Sequence, residues 1–326
     1  MNNGDRAFAR SPFSAAFTNR PDVAHSQLGD TMKYYHESSR RGLYFEGWYL
    51  KHQTRDGRML ALIPAVHTDG EGRRTASLQV LTDTGAWWLE YPGATFRASA
   101  EKFQVCVENS LFNRRGVWVR AEGEGISLRG TVLYGAFTPL RSDIMGPFRL
   151  LGNMECAHGV ISMGHTLSGT LTLNGEVFDF SGGRGYIETD RGRSFPKAYL
   201  WTQCGWEETD GVMLAIAAIP LAVGTFTGCI CALRHQGREY RLATYRGARI
   251  VAWSEKGAVV RQGKYRLEVE LPDKRGRGLR APVEGRMRRT IRECPGAPVR
   301  VRFWEGKTLL LDRTDPWASF EYVPED

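Results

Sequence analysis

The chain has 326 residues, of which 42% are hydrophobic and 25% are charged, and its formal net charge is +8. These values are typical of a globular protein with one large or two ordinary domains. No apolar run is long enough to span a membrane, and the first 22 residues are too polar for a secretory signal, so we expect a cytoplasmic protein.

The predicted organisation begins with an N-terminal arm, because residues 1–30 lack any periodicity. Beyond the arm, short apolar runs alternate with Asn-Gly and Asp-Gly pairs, which accept the positive φ angles of tight hairpin turns. These pairs are Asp56-Gly57, Asp69-Gly70, Asn174-Gly175 and Asp210-Gly211. No stretch shows a sustained period of 3.6 residues. The sequence therefore predicts an all-β chain with a few short helices at most.

The first predicted strand carries an acid among aromatic residues. Glu46 lies in "YFEGWYLK", two residues before Trp48. A carboxyl group in an apolar aromatic pocket has a raised pKa and can remain protonated as a general acid. Glu46 is therefore a candidate catalytic residue, and Trp48 is a candidate for the wall of a ligand pocket.

An internal repeat indicates two related β-domains in tandem. The segment "TRDGRMLALIP" (54–64) recurs as "TDGVMLAIAAIP" (209–220), and a tryptophan-bearing strand precedes each copy. Repeats of this kind indicate duplicated structural units. We place the N-terminal β-domain at 31–185 and the C-terminal one at 186–326. Small β-barrels enclose ligand cavities of modest size, so we expect an aromatic-lined cavity within or between the domains.

The histidines do not form a metal motif. His158 and His165 are seven residues apart in "MECAHGVISMGH", which places them on opposite faces of a regular strand. The glycine-rich "SGGRG" opens no helix, so the sequence offers no nucleotide-binding motif either. We therefore expect no metal and no cofactor, and any catalysis would use protons alone.

Two carboxylates follow the glycine-rich segment. Tyr186, Glu188 and Asp190 lie in "RGYIETDRGRSFPKAYLWTQC" and share one face if the segment is extended. Ionising one close carboxyl raises the pKa of the other, so one acid can stay neutral and deliver a proton while the other steadies a cation. The alternative is that both acids only fasten a loop, by pairing with the nearby arginines Arg184, Arg191 and Arg193.

Much of the excess positive charge lies late in the chain, in "DKRGRGLRAPVEGRMRRTIR" (273–292). Such a run is a solvated face or a patch for an anionic membrane surface. It lacks interleaved aromatic residues, and no nucleic-acid motif is present. We expect no nucleic-acid partner, and we associate residues 274–292 with peripheral contact on the inner face of a membrane.

Three segments resemble the tocopherol cyclase family: "YFEGWYLK", "MECAHGVISMGHTLSGTLTLNG" and "GRGYIETDRGRSFPKAYLWTQC". The similarity of pattern runs from about residue 40 to the C-terminus. In the last segment the family pattern is roughly G-Y-I-E-x-D-W-G-x-S-F-P, followed by W-x-Q. The matching residues are Gly185, Tyr186, Ile187, Glu188, Asp190, Gly192, Ser194, Phe195, Pro196, Trp201 and Gln203. The chain departs at Arg191, where the family usually has tryptophan.

The resemblance implies two lipocalin-like β-domains, similar to carotenoid hydratase-type proteins and to fungal Diels–Alderases. It implies closure of a chromanol ring on a prenylated hydroquinone: the alkene is protonated, the phenol oxygen attacks the tertiary cation, and no cofactor is required. Such an enzyme is an intramolecular lyase with a hydrophobic small-molecule substrate. Together with the residue patterns, the resemblance gives Glu188, Asp190, Glu46 and His158 as candidate catalytic residues, and Trp48, Tyr186, Trp201, Gln203 and His165 as candidate substrate-binding residues.

Two alternatives to a cyclase stay open. One is a non-catalytic carrier of an isoprenoid or another lipid, because a barrel alone does not fix function. The other is a hydratase or pericyclase that uses the same acid with a different acceptor. The product of a prenylated hydroquinone, if one forms, separates these alternatives.

Overall fold

The computed structural model describes residues 33–36, 42–150, 155–220, 224–271, 277–283 and 286–324, with only the backbone described at residue 220 and from 277 to 295. The predicted N-terminal arm lies outside the described residues, as do the side chains of the basic stretch 273–292. The described regular structure consists of β-strands and three short 3-10 turns, Gly93–Thr95, Gly146–Leu150 and Thr244–Arg246. The all-β prediction is confirmed. Within the described part of the chain, no helix is long and apolar enough to cross a membrane.

The first sheet contains twelve strands within the described residues, all antiparallel to their neighbours. They are β1 (Tyr44–Gln53), β2 (Met59–Thr68), β3 (Arg74–Thr82), β4 (Ala86–Pro92), β5 (Phe96–Ala98), β6 (Gln104–Val107), β7 (Ser110–Asn113), β8 (Gly116–Gly123), β9 (Ile126–Tyr134), β10 (Cys156–Leu173), β11 (Glu176–Asp179) and β12 (Gly183–Gly192). Their order is β4-β3-β2-β1-β12-β10-β9-β8-β7-β6-β5, and β11 pairs with β10.

The second sheet contains ten strands within the described residues. They are β13 (Tyr199–Gly205), β14 (Gly211–Pro220), β15 (Thr225–His235), β16 (Arg238–Ala243), β17 (Arg249–Ser254), β18 (Gly257–Gln262), β19 (Tyr265–Glu270), β20 (Arg277–Val283), β21 (Arg286–Glu305) and β22 (Thr308–Val323). Their order is β16-β15-β14-β13-β22-β21-β19-β18-β17, and β20 pairs with β21.

The two sheets have equivalent strand orders. In the first, β2 lies beside β1, which lies beside β12; in the second, β14 lies beside β13, which lies beside β22. The register agrees as well, since Gln53 opposes Met59 and Gln203 opposes Met213. The two copies of the internal repeat therefore occupy equivalent positions, as the repeat predicts.

Two of the four predicted turn pairs, Asp56-Gly57 and Asn174-Gly175, have the expected positive φ at glycine, whereas Gly211 is the first residue of β14. Asn174 and Gly175 connect β10 to β11 with φ angles of 51° and 87°, the paired positive values that favour Asn-Gly in a two-residue hairpin. Gly57, between β1 and β2, has a φ of 95°, and a Cβ there would lie 2.1 Å from the Trp317 ring. This turn therefore needs glycine both for its backbone and for close packing against β22.

Residue 185, the predicted domain boundary, lies inside β12. The strand Gly183–Gly192 pairs with β1 and β10 along its length, so it belongs wholly to the first sheet. The chain passes to the second sheet between Gly192 and Tyr199. The glycine-rich segment at the start of this strand is extended backbone in the middle of the sheet. The division into two domains stays a prediction.

Each sheet curves around its own apolar core, and a third apolar cluster lies between the sheets. Strand β1 contributes to two of these clusters, because successive side chains point to opposite faces. Trp48 and Leu50 pack inside the first sheet, whereas Tyr49 faces the second sheet. Since both faces of β1 are covered, nearly all of its residues are buried, as is usual for a strand in the middle of a two-sided packing.

Polar contacts also join the sheets. The buried Lys51 Nζ donates to Gln203 Oε1 at 3.0 Å and to the Trp317 carbonyl at 2.7 Å. The hydroxyls of Tyr49 and Ser319 are 3.0 Å apart. A buried ammonium is costly unless it is hydrogen-bonded, so these contacts fix how the two sheets meet.

The segment before β10 crosses onto the second sheet. The Arg241 guanidinium donates to the carbonyls of Asp143 and Ser142 at 3.0 and 3.1 Å, and the Tyr245 hydroxyl donates to the carbonyl of Ile144 at 2.9 Å. These bonds hold the 3-10 turn Gly146–Leu150 close to β16 and to the 3-10 turn Thr244–Arg246.

His52 and His165 are buried in the first sheet, and their described hydrogen bonds include no acidic partner. His52 Nε2 lies 2.6 Å from the Tyr134 hydroxyl, and His165 Nδ1 lies 3.0 Å from Ser162 Oγ. The His165 ring also packs on the rings of Tyr134 and Phe137, with centroids 4.6 and 4.9 Å away. Burial lowers the pKa of His52 to about 4 and the pKa of His165 to about 3.

These histidines predict a loss of stability in acid. The unfolded chain binds protons at histidine near pH 6.5, whereas the folded chain binds them only near pH 4 or 3. The stability is therefore complete above about pH 6.5 and falls as the pH drops towards the folded values. We expect each histidine to lower the free energy of unfolding by about 2 kcal/mol between about pH 7.5 and about pH 5. Urea unfolding of His52→Gln and His165→Gln across this range checks the prediction, and a pH dependence as steep as that of the parent contradicts it.

Candidate active site

A cavity of about 180 Å³ lies between the two sheets. The first sheet contributes residues of β1, β2, β3, β10 and β12 to its wall, and the second sheet contributes residues of β13, β14, β15 and β22. Its wall is largely apolar and aromatic: Phe45, Tyr49, Ile63, Phe148, Phe195, Tyr199, Trp201, Ile219 and Ile230. Concave apolar sites with a few polar groups are typical of small-molecule binding.

Three titratable side chains meet in this wall, and we call Glu188, Asp190 and His158 the acid cluster. The alternation of β12 directs Glu188 and Asp190 to the same face, as the sequence predicts. On the neighbouring strand β10, His158 directly opposes Asp190 in the register. His158 Nδ1 lies 2.9 Å from Asp190 Oδ1, and His158 Nε2 lies 3.3 Å from Glu188 Oε2. The imidazole is therefore placed between the two carboxylates.

Glu188 is the more buried acid, with 4% of its surface exposed. Its Oε2 accepts hydrogen bonds from the Tyr186 hydroxyl at 2.5 Å and from Trp201 Nε1 at 3.2 Å. Burial raises the pKa of Glu188, and the positive charge of His158 opposes that rise. Burial lowers the pKa of His158, but the charges of Asp190 and Glu188 outweigh it and raise the pKa well above its usual value. His158 is therefore cationic at neutral pH.

The geometry of His158 Nε2 bears on whether the acid cluster can donate a hydrogen bond into the cavity. Its distance to Glu188 Oε2 is that of an ion pair, but among the described residues Nε2 has no hydrogen-bond partner with good geometry. A buried N–H without an aligned partner is costly. This atom is therefore ready to donate to an oxygen that enters the cavity or to a Glu188 carboxylate that has just lost its proton.

The same three residues could also hold a cation, because one ligand atom from each lies within 4.8 Å of the others. Both imidazole nitrogens, however, face a carboxylate. A metal ion would have to take the place of the imidazolium proton. A protonated cluster satisfies the described contacts without such a replacement.

Arg191 lies on the opposite face of β12 from the acid cluster. It opposes Glu46 in the register, and its positive charge works against the rise that burial causes in the pKa of Tyr44. Burial is the main cause that raises the pKa of Glu188, and the largest opposing cause is the charge of His158. The salt-bridge alternative names Arg184, Arg191 and Arg193, and the strand geometry gives no support to Arg191 as the partner of the two acids.

Glu46 is not part of the cavity wall, so the structure does not bring this candidate to the acid cluster. The side chain is fully buried on the other face of β1. Its carboxylate accepts bonds from the Tyr44 hydroxyl at 2.7 Å and from the His36 backbone N–H at 2.9 Å, and it lies 2.8 Å from His36 Nδ1. These contacts give Glu46 a structural role: it binds the segment 33–36 to the first sheet.

Trp48 also lies away from the cavity, and its expected place on the wall is wrong. It packs in the core of the first sheet against the rings of Tyr35 and Phe96, with centroids 6.4 and 6.1 Å away. Tyr186 does not line the cavity, and it contacts the site through its bond to Glu188. Of the three aromatic residues expected on the wall, Trp201 lines it.

Gln203 and His165 do not line the main cavity either. Gln203 accepts a bond from Lys51, next to a second, very small pocket that Tyr186 also borders. His165 lies in the first sheet, and a Cβ on Gly185 would approach its Nε2 to 2.2 Å. Both residues of this contact belong to the sequence blocks that resemble the family, so part of that pattern serves packing.

The sequence patterns did not indicate several residues of the cavity wall. Cys156 donates from Sγ to Asp190 Oδ1 at 3.5 Å, and burial raises the pKa of its thiol. Tyr199 donates to Glu321 Oε2 at 2.9 Å, in the part of the wall that the second sheet forms. Cys156 lies two residues before His158, so strand alternation could have indicated it. Glu321 is 122 residues from Tyr199, and no local pattern joins them.

Residues 144–322 match the family described as tocopherol cyclase-like. No curated protein shows a significant match to the chain. Among solved structures, a putative AttH from Nitrosomonas europaea is 13% identical, with a TM-score of 0.54; the likeness covers 92% of this chain and 99% of that one. Kievitone hydratase from Nectria haematococca is 9% identical, with a TM-score of 0.51, over 86% of this chain and 89% of that one. At these identities the likeness concerns the fold alone, and it agrees with the expected lipocalin-like all-β architecture.

Proposed function

Because this chain belongs to the tocopherol cyclase-like family, we propose that it closes a chromanol ring on a prenylated hydroquinone. One observation carries the proposal. A deeply buried glutamate, Glu188, faces an apolar cavity and is surrounded by three groups that can stabilise its carboxylate. A carboxyl group in such a place can hold a proton at neutral pH and release it to a weakly basic carbon.

The first step is protonation of the trisubstituted alkene of the prenyl tail. Glu188 is the acid, because burial raises its pKa. The proton goes to the less substituted carbon, and the electrons of the double bond form the new C–H bond. The Glu188 carboxylate that remains is stabilised by the donors Tyr186 and Trp201 and by the His158 cation. Donors that become stronger as charge develops lower the barrier to the step.

The second step is capture of the tertiary cation. The Asp190 carboxylate, which lies in the wall beside His158, is placed to steady positive charge. The rings of Tyr49, Phe195 and Trp201 add cation–π stabilisation. The phenol oxygen then attacks the cation and loses its proton, and that proton returns to the cluster. The substrate is isomerised with no net change in atoms or electrons.

The apolar wall also decides which nucleophile reaches the cation. A hydratase would let water attack, whereas a cyclase must exclude water and hold the phenol oxygen nearby. The wall residues that the second sheet contributes are apolar or aromatic apart from Glu321. This composition favours capture by the ring hydroxyl.

The experiment is turnover of a prenylated hydroquinone in D₂O that contains ¹⁸O-labelled water, followed by mass spectrometry of the product. A cyclase gives a chromanol with one deuterium on a tail carbon and no ¹⁸O. A tertiary alcohol that contains ¹⁸O would identify a hydratase instead. Tight binding without any product would identify a carrier, and either result would overturn the proposal.

A further inference from the structure

A second polar group faces the cavity and has no part in the two steps above. The Tyr199 hydroxyl donates to Glu321 Oε2 at 2.9 Å. Both side chains are buried, with 6% and 7% of their surfaces exposed, and both line the cavity. They lie on the paired strands β13 and β22 of the second sheet. Together they present a carboxylate and a phenol oxygen to the cavity.

The position of this pair relative to the acid cluster follows from the strand register. Glu321 directly opposes Trp201, and the Trp201 indole nitrogen donates to Glu188 at 3.2 Å. Directly opposed residues of antiparallel strands have their Cβ atoms about 4.5–5.5 Å apart. The Trp201 side chain therefore separates Glu321 from Glu188 along one wall. The acid cluster and the Tyr199–Glu321 pair are therefore two polar centres of the wall with an aromatic ring between them. Other polar side chains that line the cavity are His67, Gln79 and Glu155.

Two polar centres match a substrate ring with two hydroxyl groups. In a prenylated hydroquinone, the hydroxyl next to the tail attacks the cation, and the second hydroxyl is para to it, at the far side of the ring. A carboxylate offers about four acceptor sites, so Glu321 can accept from Tyr199 and from a ligand hydroxyl at the same time. A monophenol has no group for this second centre.

We propose that Tyr199 and Glu321 bind the second hydroxyl of the hydroquinone and so select a diol over a monophenol. This inference rests on the proposed function. Glu321 accepts the hydrogen bond from the ligand, and Tyr199 holds the carboxylate in place. The chromanol product keeps this hydroxyl, so the pair binds substrate and product alike. A bond that is equal in both states affects binding rather than the chemical step.

The experiment compares two ligands with saturated tails, which bind but cannot react: a hydroquinone and the monophenol with hydrogen at the para position. Quenching of tryptophan fluorescence gives Kd for each. A hydrogen bond to a charged group corresponds to a preference of about 10- to 100-fold for the diol. We expect Glu321→Gln to remove most of this preference and Tyr199→Phe to reduce it, while the affinity for the monophenol changes little.

Matched controls lie in the same sheet but outside the cavity. Tyr240 packs against Tyr265 and Phe303, and Glu268 pairs with Arg302 at 2.9 Å. Tyr240→Phe and Glu268→Gln should keep the preference of the parent protein. Thermal melting shows that each variant is folded, and Tyr199→Phe serves as the milder change if Glu321→Gln unfolds the chain. Folded Tyr199→Phe and Glu321→Gln proteins that keep the full preference would overturn the proposal, as would a parent protein without preference.

This design separates the inference from the proposed function, because the binding measurement needs no turnover. A diol preference that depends on Glu321, in a protein that forms no chromanol, leaves the binding site intact and refutes the cyclase. Chromanol formation together with a preference that ignores both variants refutes the second polar centre and leaves the cyclase intact.

Discussion

Replacement of Glu188 by glutamine is expected to lower the turnover of a prenylated hydroquinone by about 10²- to 10⁴-fold, the usual contribution of a general acid. The amide has nearly the same shape as the carboxyl group, so it keeps contacts with Tyr186 and Trp201 but has no acidic proton. The affinity for a saturated-tail hydroquinone should change little. Steady-state kinetics and binding titration on the folded variant measure the two quantities separately.

Two comparisons sharpen this test. Glu46→Gln changes an equally buried glutamate on β1 that faces away from the cavity, and the folded variant should turn over substrate at the parent rate. Turnover of the parent protein should also survive EDTA, because the proposed acid is a carboxyl group. A Glu188→Gln protein that is folded and fully active would show that the glutamate is structural. Loss of turnover with EDTA would assign the cluster to a metal ion instead.

Replacement of His158 by glutamine is expected to lower the free energy of unfolding by about 3–5 kcal/mol at neutral pH, the usual cost of removing one partner from a buried ion pair. Glu188 and Asp190 would lose the cation between them. Because the folded pKa of His158 lies above that of the unfolded chain, its stabilisation is complete below about pH 6.5 and is lost as the pH rises through the folded value. The difference between parent and variant should therefore be larger near pH 6.5 than near pH 10.

A double-mutant cycle isolates the charge effect. In a chain that already carries Glu188→Gln and Asp190→Asn, His158→Gln leaves no carboxylate of the cluster unpaired. Its cost should then be much smaller, and urea unfolding of the four proteins measures the coupling. An equal cost in both backgrounds would mean that His158 contributes packing alone and that the cluster is not held by charge.

Local sequence patterns predicted much of the fold. Asn174-Gly175 forms the expected hairpin, because a two-residue turn depends on backbone preferences of those residues alone. Glu188 and Asp190 share one face of a strand for an equally local reason, the period of two in extended chain. The predicted domain boundary at 185 lies inside β12, because the internal repeat locates two equivalent strands but not the point where the chain leaves the first sheet.

The side-chain directions and contacts that the sequence did not predict depend on how distant strands pack. Strand β1 is buried on both faces, so apolar and polar residues do not alternate along it as they do in a half-exposed strand. The sequence therefore did not show that Glu46 and Trp48 face away from the cavity. His158 and Asp190 meet because β10 and β12 pair across 32 residues. Tyr199 and Glu321 meet across 122 residues. A single sequence carries no signal for such pairings beyond the resemblance to a family.

The equivalent strand orders of the two sheets have a consequence for how an asymmetric site can arise. Glu188 opposes Tyr49, and in the second sheet Val323 opposes Tyr199 at the corresponding place in the register. In a symmetric dimer of a single sheet, every substitution appears twice, so an acid facing the shared cavity would meet its own copy. Joining both sheets in one chain releases that constraint. The first sheet can keep the proton donor Glu188 while the second has Val323 at the matching position. Glu188 therefore has no identical carboxyl group at that position with which to share its proton.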